Sequence, residues 1–412
     1  MEKSATGNKI HLPYLDSLRG VAALLVVMHH ALLQFDFRPA ALNAVQTGVL
    51  AMFQNGHYPV NFFIVLSGYC LMLPVVKSGY HLKGGVLTFF KKRARRILPP
   101  YYLAMLFSLV LIALLIGQKT GTHWDVSIPV TTHDVIIHLL LLQDLLESTG
   151  GKINHSFWSI SVEWRIYFLF PVLLLLWRKI GPARTVALMT VVAFALVGAL
   201  RYLHKVYPDL NNNPNGIVPH YLLLFALGML GAAISFGQNS PLARWTTVRW
   251  TVSLALMTAV IATLSVASET ISSIPWQLID MCTGVWALCL LVLCHRTQAA
   301  PAGRHTALKA VMAWRPLVFV GTFGYSLYLI HAPLLQVLTQ YVLTPLGLDP
   351  FTGFVLLNTV GLAAIVLTAY GFFLLCERPF MNKPQPPVVP VPAAGPRVVA
   401  EASLAHPAPV EA

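Results

Sequence analysis

Ten long apolar runs recur along this 412-residue chain, at roughly 13–35, 57–76, 97–117, 156–177, 185–203, 217–236, 248–267, 276–295, 316–342 and 352–376. A helix needs about 20 mainly apolar residues to cross a bilayer, and runs of this kind read as transmembrane helices. They specify an all-α polytopic membrane protein, a bundle of about ten transmembrane helices. Composition supports this: 56% of residues are hydrophobic and only 10% charged, where soluble domains carry about 25% charged residues. The polar start, MEKSATGNKIH, is short, and the run after it lacks a small-residue cleavage site. The first run is therefore expected to remain as an uncleaved span.

The net charge of +13 raises nucleic acid as a partner, but its distribution assigns it to topology. With ten spans both termini share a side. That side collects twenty-one of the 28 Lys and Arg residues, the other side has five, and Arg19 and Arg165 lie within spans. Such an asymmetry follows the positive-inside rule. It predicts a multi-pass protein of the inner (plasma) membrane with both termini cytoplasmic and no nucleic-acid partner. Cys70, Cys282, Cys289, Cys294 and Cys376 lie in or beside apolar runs without a CxxC pair, so packing is expected rather than a disulfide framework or a metal site. Residues 1–381 are read as one membrane-embedded domain, and the Pro/Ala-rich residues 382–412 as a disordered cytoplasmic tail.

The first run, LPYLDSLRGVAALLVVMHHALLQ, places an arginine and two histidines in hydrocarbon. Ionisable residues there are costly and usually face a protein-lined cavity that serves function. Arg19 and His30 are eleven residues apart, which at about 100° per residue returns to within roughly 20° of one helix face, about 16 Å along the axis. Asp16 and Gln34 extend that stripe, whereas His29 is turned about 80° away. In the fourth run Glu163 lies about two turns inside the span, and unpaired charge there costs several kcal/mol, on the order given for buried ions. It is either functional or half of a structural ion pair.

Five basic residues crowd positions 91–96 ahead of the third run. They suit either a topology anchor or a phosphate site, because guanidinium groups bind phosphates in forked pairs. Between Gln118 and His155 the segment 136–146 is too short to span and reads as an interfacial or re-entrant helix. Its neighbouring acids, Asp125, Asp134, Asp144 and Glu147, are read as a solvated loop in preference to an acceptor contact. The fifth to eighth runs read as packed helices without evident chemistry.

Several motifs together resemble the acyltransferase-3 family of integral membrane O-acyltransferases. LDSLRG opens the first run, with Arg19 followed after ten residues by His30. FFIVLSGY is similar to the family's FF-x-LSGF segment, and Arg93, Arg96, Ile97 and Pro99 match R-x-x-R-[IL]-x-P. WSISVEWRIYFLFP resembles WSLSVE-x-x-FY-x-x-FP, with Trp164 and Arg165 where many members have Glu-Gln. GYSLYLIHAP resembles SYSLYL-x-H-x-P, and CERPF a similar terminal string. The resemblance makes Asp16, Asn61, Ser67, Gly68, Trp158, Ser159, Ser161, Tyr325, Tyr328 and His331 candidates for lining or positioning a shared cavity.

It also implies an enzyme that moves an acyl group, usually acetyl, from acetyl-coenzyme A or another acyl-coenzyme A to a hydroxyl of a lipid-linked or exported glycan. No permanently bound cofactor or metal is expected; the partners are the acyl-coenzyme A donor, a glycan or glycolipid acceptor and membrane lipids. Arg93 and Arg96, with help from Arg19, are expected to hold the donor. His30 is expected to act as base, since imidazole titrates near pH 6.5, with Glu163 orienting or stabilising it. Direct attack and a transient acyl-histidine both remain open. Composition alone equally suits a proton-coupled transporter or a lipid or glycan flippase.

Overall fold

The computed structural model describes residues 12–38, 42–237, 240–271, 274–299 and 307–381. The expected tail at 382–412 lies outside the described residues. Ten principal helices follow one another: α1 Pro13–Leu32, α2 His57–Lys77, α3 Gly85–Ile116, α4 Trp158–Ile180, α5 Pro182–Val206, α6 Tyr221–Phe236, α7 Thr247–Ser268, α8 Trp276–Ala299, α9 Gly324–Leu346 and α10 Pro350–Phe380. Among the described residues nine of them are long and apolar enough to cross a membrane, and α6, at 16 residues, is shorter. The molecule is an all-α, multi-pass membrane protein.

Burial separates two groups of helices. The hydrophobic windows of α1, α2, α8 and α9 are 56–67% buried, whereas those of α5, α7 and α10 are 22%, 0% and 11% buried. The first group forms the packed interior, and the second presents apolar side chains outward, as a lipid-facing shell must. Arg19, His30, Asp280 and His331 belong to the first group, and Glu163 to α4, whose window is 50% buried.

Local sequence explains three departures from the expected spans. The third helix begins at Gly85 rather than near 97, so the basic cluster is helical and lies inside its first turns. Pro99 and Pro100 follow within the same helix, each removing one backbone donor to the turn before it. The ninth run is broken: a short helix Arg315–Thr322 ends at Phe323, and α9 restarts at Gly324. In the sixth region the span starts only at Tyr221, after a turn-rich loop through Asn211–Gly216.

Close helix crossings rest on glycine. A Cβ on Gly68 of α2 would collide with the carbonyl of Phe225 on α6, and one on Gly228 of α6 with the carbonyl of Val65. In a bilayer, where lipid offers apolar contact as good as protein does, such small-residue contacts let backbones pack tightly. Gly68 therefore serves the α2–α6 crossing and is not among the cavity-lining residues. This corrects its expected place.

Candidate active site

A cavity of about 160 Å³ lies among α1, α2, α3, α4 and α9. Its polar lining includes Arg19, Ser67, Arg93, Arg96, Ser159, Glu163, Tyr167, Tyr325 and Tyr328. Chain direction orders these groups along its length. Arg19 precedes His30 on α1, and α2 runs the opposite way, because Arg19 approaches Cys70 Sγ at 3.8 Å while His29 meets the loop just before His57. One end is thus marked by arginines and the other by histidines.

At the arginine end, R-x-x-R spacing on a helix puts residues 93 and 96 on one face. Arg93 and Arg96 are half-buried and line the cavity, while Lys91, Lys92 and Arg95 of the same cluster are exposed. Among the described residues neither cavity arginine has a carboxylate within ion-pairing distance. Arg19 does: Asp16, one turn earlier on α1, accepts from it at 2.6 Å. Two partly buried cations without a counter-ion make this end suited to an anion, because charge held away from water requires compensation.

Glu163 occupies the middle. Its carboxylate accepts from Tyr167 Oη, and Ser67 Oγ reaches the same phenol oxygen at 2.9 Å. The phenol proton is committed to Glu163, so Ser67 is the donor of the second bond. Tyr325 donates to the Ile97 carbonyl at 3.2 Å, fixing the α9 wall against α3. The expected contact between Glu163 and His30 is not formed.

His331 takes that place. Its Nδ1 is 2.7 Å from the Tyr328 carbonyl, which can only accept, so Nδ1 carries the proton and Nε2 is an acceptor. His30 Nδ1 lies 3.1 Å from that Nε2 and 3.0 Å from the Val26 carbonyl. Both neighbours accept, so the His30 proton is on Nδ1 and its Nε2 is left with a free lone pair. Tyr328 itself bonds Ser159 at 2.6 Å and the Ser156 carbonyl at 2.9 Å. The histidine pair is thereby tied to the cavity wall, although His331 stands just behind the lining residue Tyr328 and His30 behind His331.

His29 turns the other way, to the Phe53 carbonyl at 2.8 Å and the Gly56 amide at 3.2 Å. Further rings close around His30: His155 at 5.0 Å between centroids, with His123 5.0 Å beyond it. Burial pushes the His155 imidazole well below its ordinary range and also lowers His123. Both are neutral near pH 7, so they place no positive charge beside His30.

Other candidates are structural supports or belong to networks the sequence did not reveal. Ser161 bonds Asp144 at 2.6 Å, and Asp144 also pairs with Arg165 through both carboxylate oxygens. Asp144 is fully buried and Asp134 nearly so, the latter in a capping box with Thr131. The solvated-loop reading is therefore corrected for these two acids: a buried carboxylate needs donors, and each has them. Asn61 is absent from the cavity lining and donates to Asp280 at 2.7 Å. Trp158 stacks on His57, 5.8 Å between centroids. Glu377 of the CERPF string is buried and accepts from Ser326 Oγ at 2.5 Å. The signal for the Asp280 network was present: Asp280 is the one acid in the eighth run.

Comparison with known proteins gives a family and relatives. The family model described as an acyltransferase domain matches residues 12–375. The chain is 27% identical over 339 residues to Acyltransferase MdmB of Streptomyces mycarofaciens, covering 78% of each chain. It is 21% identical over 343 residues to O-acetyltransferase OatA of Staphylococcus aureus, covering 80% of this chain and 52%, about half, of that protein. No solved structure matches.

Proposed function

The chain belongs to this family of membrane acyltransferases, and from that premise we propose that it transfers an acyl group, acetyl in the first instance, from acyl-coenzyme A to a hydroxyl of a lipid-linked or exported glycan. Family membership makes it an enzyme, which sets aside the carrier alternative drawn from composition. The observation that carries the finer reading is a cavity with Arg93 and Arg96, without a carboxylate partner among the described residues, at one end and, behind Tyr328 and His331 at the other, the His30 imidazole with an open nitrogen.

In this reading Arg93 and Arg96 hold the donor's phosphates, with Arg19 continuing the track. The thioester lies along Glu163 and Tyr167. His30 Nε2 takes the acceptor hydroxyl proton as the oxygen attacks the thioester carbonyl carbon. The carbon–sulfur bond breaks, and the leaving thiolate takes up the proton that His30 Nε2 had accepted, which restores the neutral imidazole. His331, acting as a positioning residue, accepts from His30 Nδ1–H and so holds the imidazole with Nε2 forward, the part a carboxylate plays in a triad. The basic asymmetry of the sequence supports donor entry from the cytoplasm and both termini on that side of the plasma membrane.

Labelled acetyl-coenzyme A added to the purified protein tests this. Thioester cleavage or acyl transfer is expected. Complete inertness with every hydroxyl acceptor and with water would contradict it.

A further inference from the structure

The proposed transfer leaves one buried network without a part. Asp280 on α8 is nearly fully buried, and its Oδ2 lies 2.9 Å from Nε2 of both His57 and His220 while Oδ1 accepts from Asn61. A carboxylate accepts, so each Nε2 carries a proton and each Nδ1 is the basic nitrogen. The two imidazoles differ in access. His220 is fully buried, with its Nδ1 sealed and unpartnered, whereas the His57 side chain is 20% exposed. Among the described residues His57 Nδ1 has no hydrogen-bond partner.

His57 also stands behind the histidine end of the cavity, next to residues of its lining. Val60, one turn further along α2, lines the cavity, as does Ser159, next to the Trp158 that stacks on the His57 ring. The Gly56 amide, one residue before His57, bonds His29, whose ring is 5.2 Å from that of His30. Two basic imidazole nitrogens are therefore presented near one end by different helices, His30 Nε2 from α1 and His57 Nδ1 from α2. A simple alcohol has one proton to donate. A molecule with two hydroxyls can donate to both nitrogens at once.

We propose that His57, held by Asp280, binds the acceptor by accepting a hydrogen bond from a second hydroxyl, which makes the acceptor a polyhydroxylated ring, while His30 takes the proton of the reacting hydroxyl. This rests on the reading of the chain as an acyl-coenzyme A-dependent O-acyltransferase. Asp280 fixes which nitrogen of His57 is protonated. The stacked Trp158 fixes the ring plane, at 7° to its own.

His57→Phe tests the assignment. It keeps an aromatic ring beside Trp158, leaves Asp280 with His220 and Asn61, and removes the imidazole nitrogens, of which Nε2 also lies 3.0 Å from the buried Tyr221 hydroxyl; Tyr221→Phe, which removes that contact alone, should stay near wild type. His220→Phe is the control, removing the other arm of Asp280 without touching the presented nitrogen. Two quantities are read: alkali-labile acetate released from washed cells that carry each variant in place of wild type, and acetyl-coenzyme A hydrolysis by each purified protein. His57→Phe should lower the cell-derived acetate about tenfold with hydrolysis retained, because water needs no second anchor, and His220→Phe should remain near wild type in both. Wild-type acetate levels in His57→Phe would overturn the proposal. So would a parallel fall of acetate and hydrolysis, or an equal loss in His220→Phe, since either makes the cluster a packing element. Failure of the wild-type protein in both assays would instead remove the O-acyltransferase reading on which the proposal stands.

Discussion

The two ends of the cavity are built on opposite principles. At the arginine end Arg93 and Arg96 lie half-buried without a carboxylate partner among the described residues, and Arg19 has only Asp16. At the histidine end hydrogen bonds order the rings in turn: the Tyr328 carbonyl orders His331, His331 orders His30, and one nitrogen of His30 is left over. The first end is electrostatically incomplete until an anion arrives; the second is uncharged and leaves imidazole lone pairs open, those of His30 Nε2 and His57 Nδ1. Side chains at the first are accordingly suited to affinity and those at the second to proton transfer. Substitutions should separate along that line.

The largest effect is expected from His30→Ala. Removing a base that accepts the hydroxyl proton should lower turnover about a hundredfold or more, with the KM for acetyl-coenzyme A little changed. Steady-state kinetics on purified variants at matched amounts checks this, with thermal unfolding as the control for folding. Arg96→Ala and Arg93→Ala should show the converse pattern. Loss of charge-assisted bonds to phosphate should raise the KM for the donor about tenfold or more and leave that for the acceptor nearly unchanged. Equal effects on both substrates would dissolve the distinction between the ends.

A smaller change is expected in the middle. Tyr167→Phe deletes the hydrogen bond to Glu163 and the one accepted from Ser67 while keeping the ring, and kcat/KM for acetyl-coenzyme A should fall by about tenfold, the order of a hydrogen bond to a charged group. Smallest of all is His29→Ala. It loses contacts to the loop at residues 53 and 56, and turnover should stay near wild type with at most a modest drop in Tm. A dead His29 variant beside an active His30 variant would reverse the assignment.

What the sequence disclosed about these ends follows from how local each feature is. The face shared by Arg19 and His30, and its separation from His29, come from helical arithmetic within one run. The selection of Arg93 and Arg96 out of five neighbouring basic residues came from motif resemblance, and the helix explains it by exposing the other three. Tertiary pairings were not legible in the same way. Asp144 and Arg165 come together from a loop and a span 21 positions apart, and Asp280 meets His57 across 223 positions. A polar residue in an apolar run announces that a partner exists without saying which. Gly68 failed for the converse reason: a small residue serves a cavity and a helix crossing equally well, and only the carbonyl of Phe225 opposite it decides. The break at Phe323 also escaped, because hydrophobicity continues through it.

The most direct test of a cavity divided into a binding end and a chemical end is a pair of acetyl-coenzyme A dissociation constants, measured by calorimetry on His30→Ala and Arg96→Ala, both in detergent and at one ionic strength. The account predicts that His30→Ala binds the donor as wild type does while failing to turn it over, and that Arg96→Ala binds it about tenfold or more weakly. Weakened binding in His30→Ala together with an unchanged dissociation constant in Arg96→Ala would contradict it.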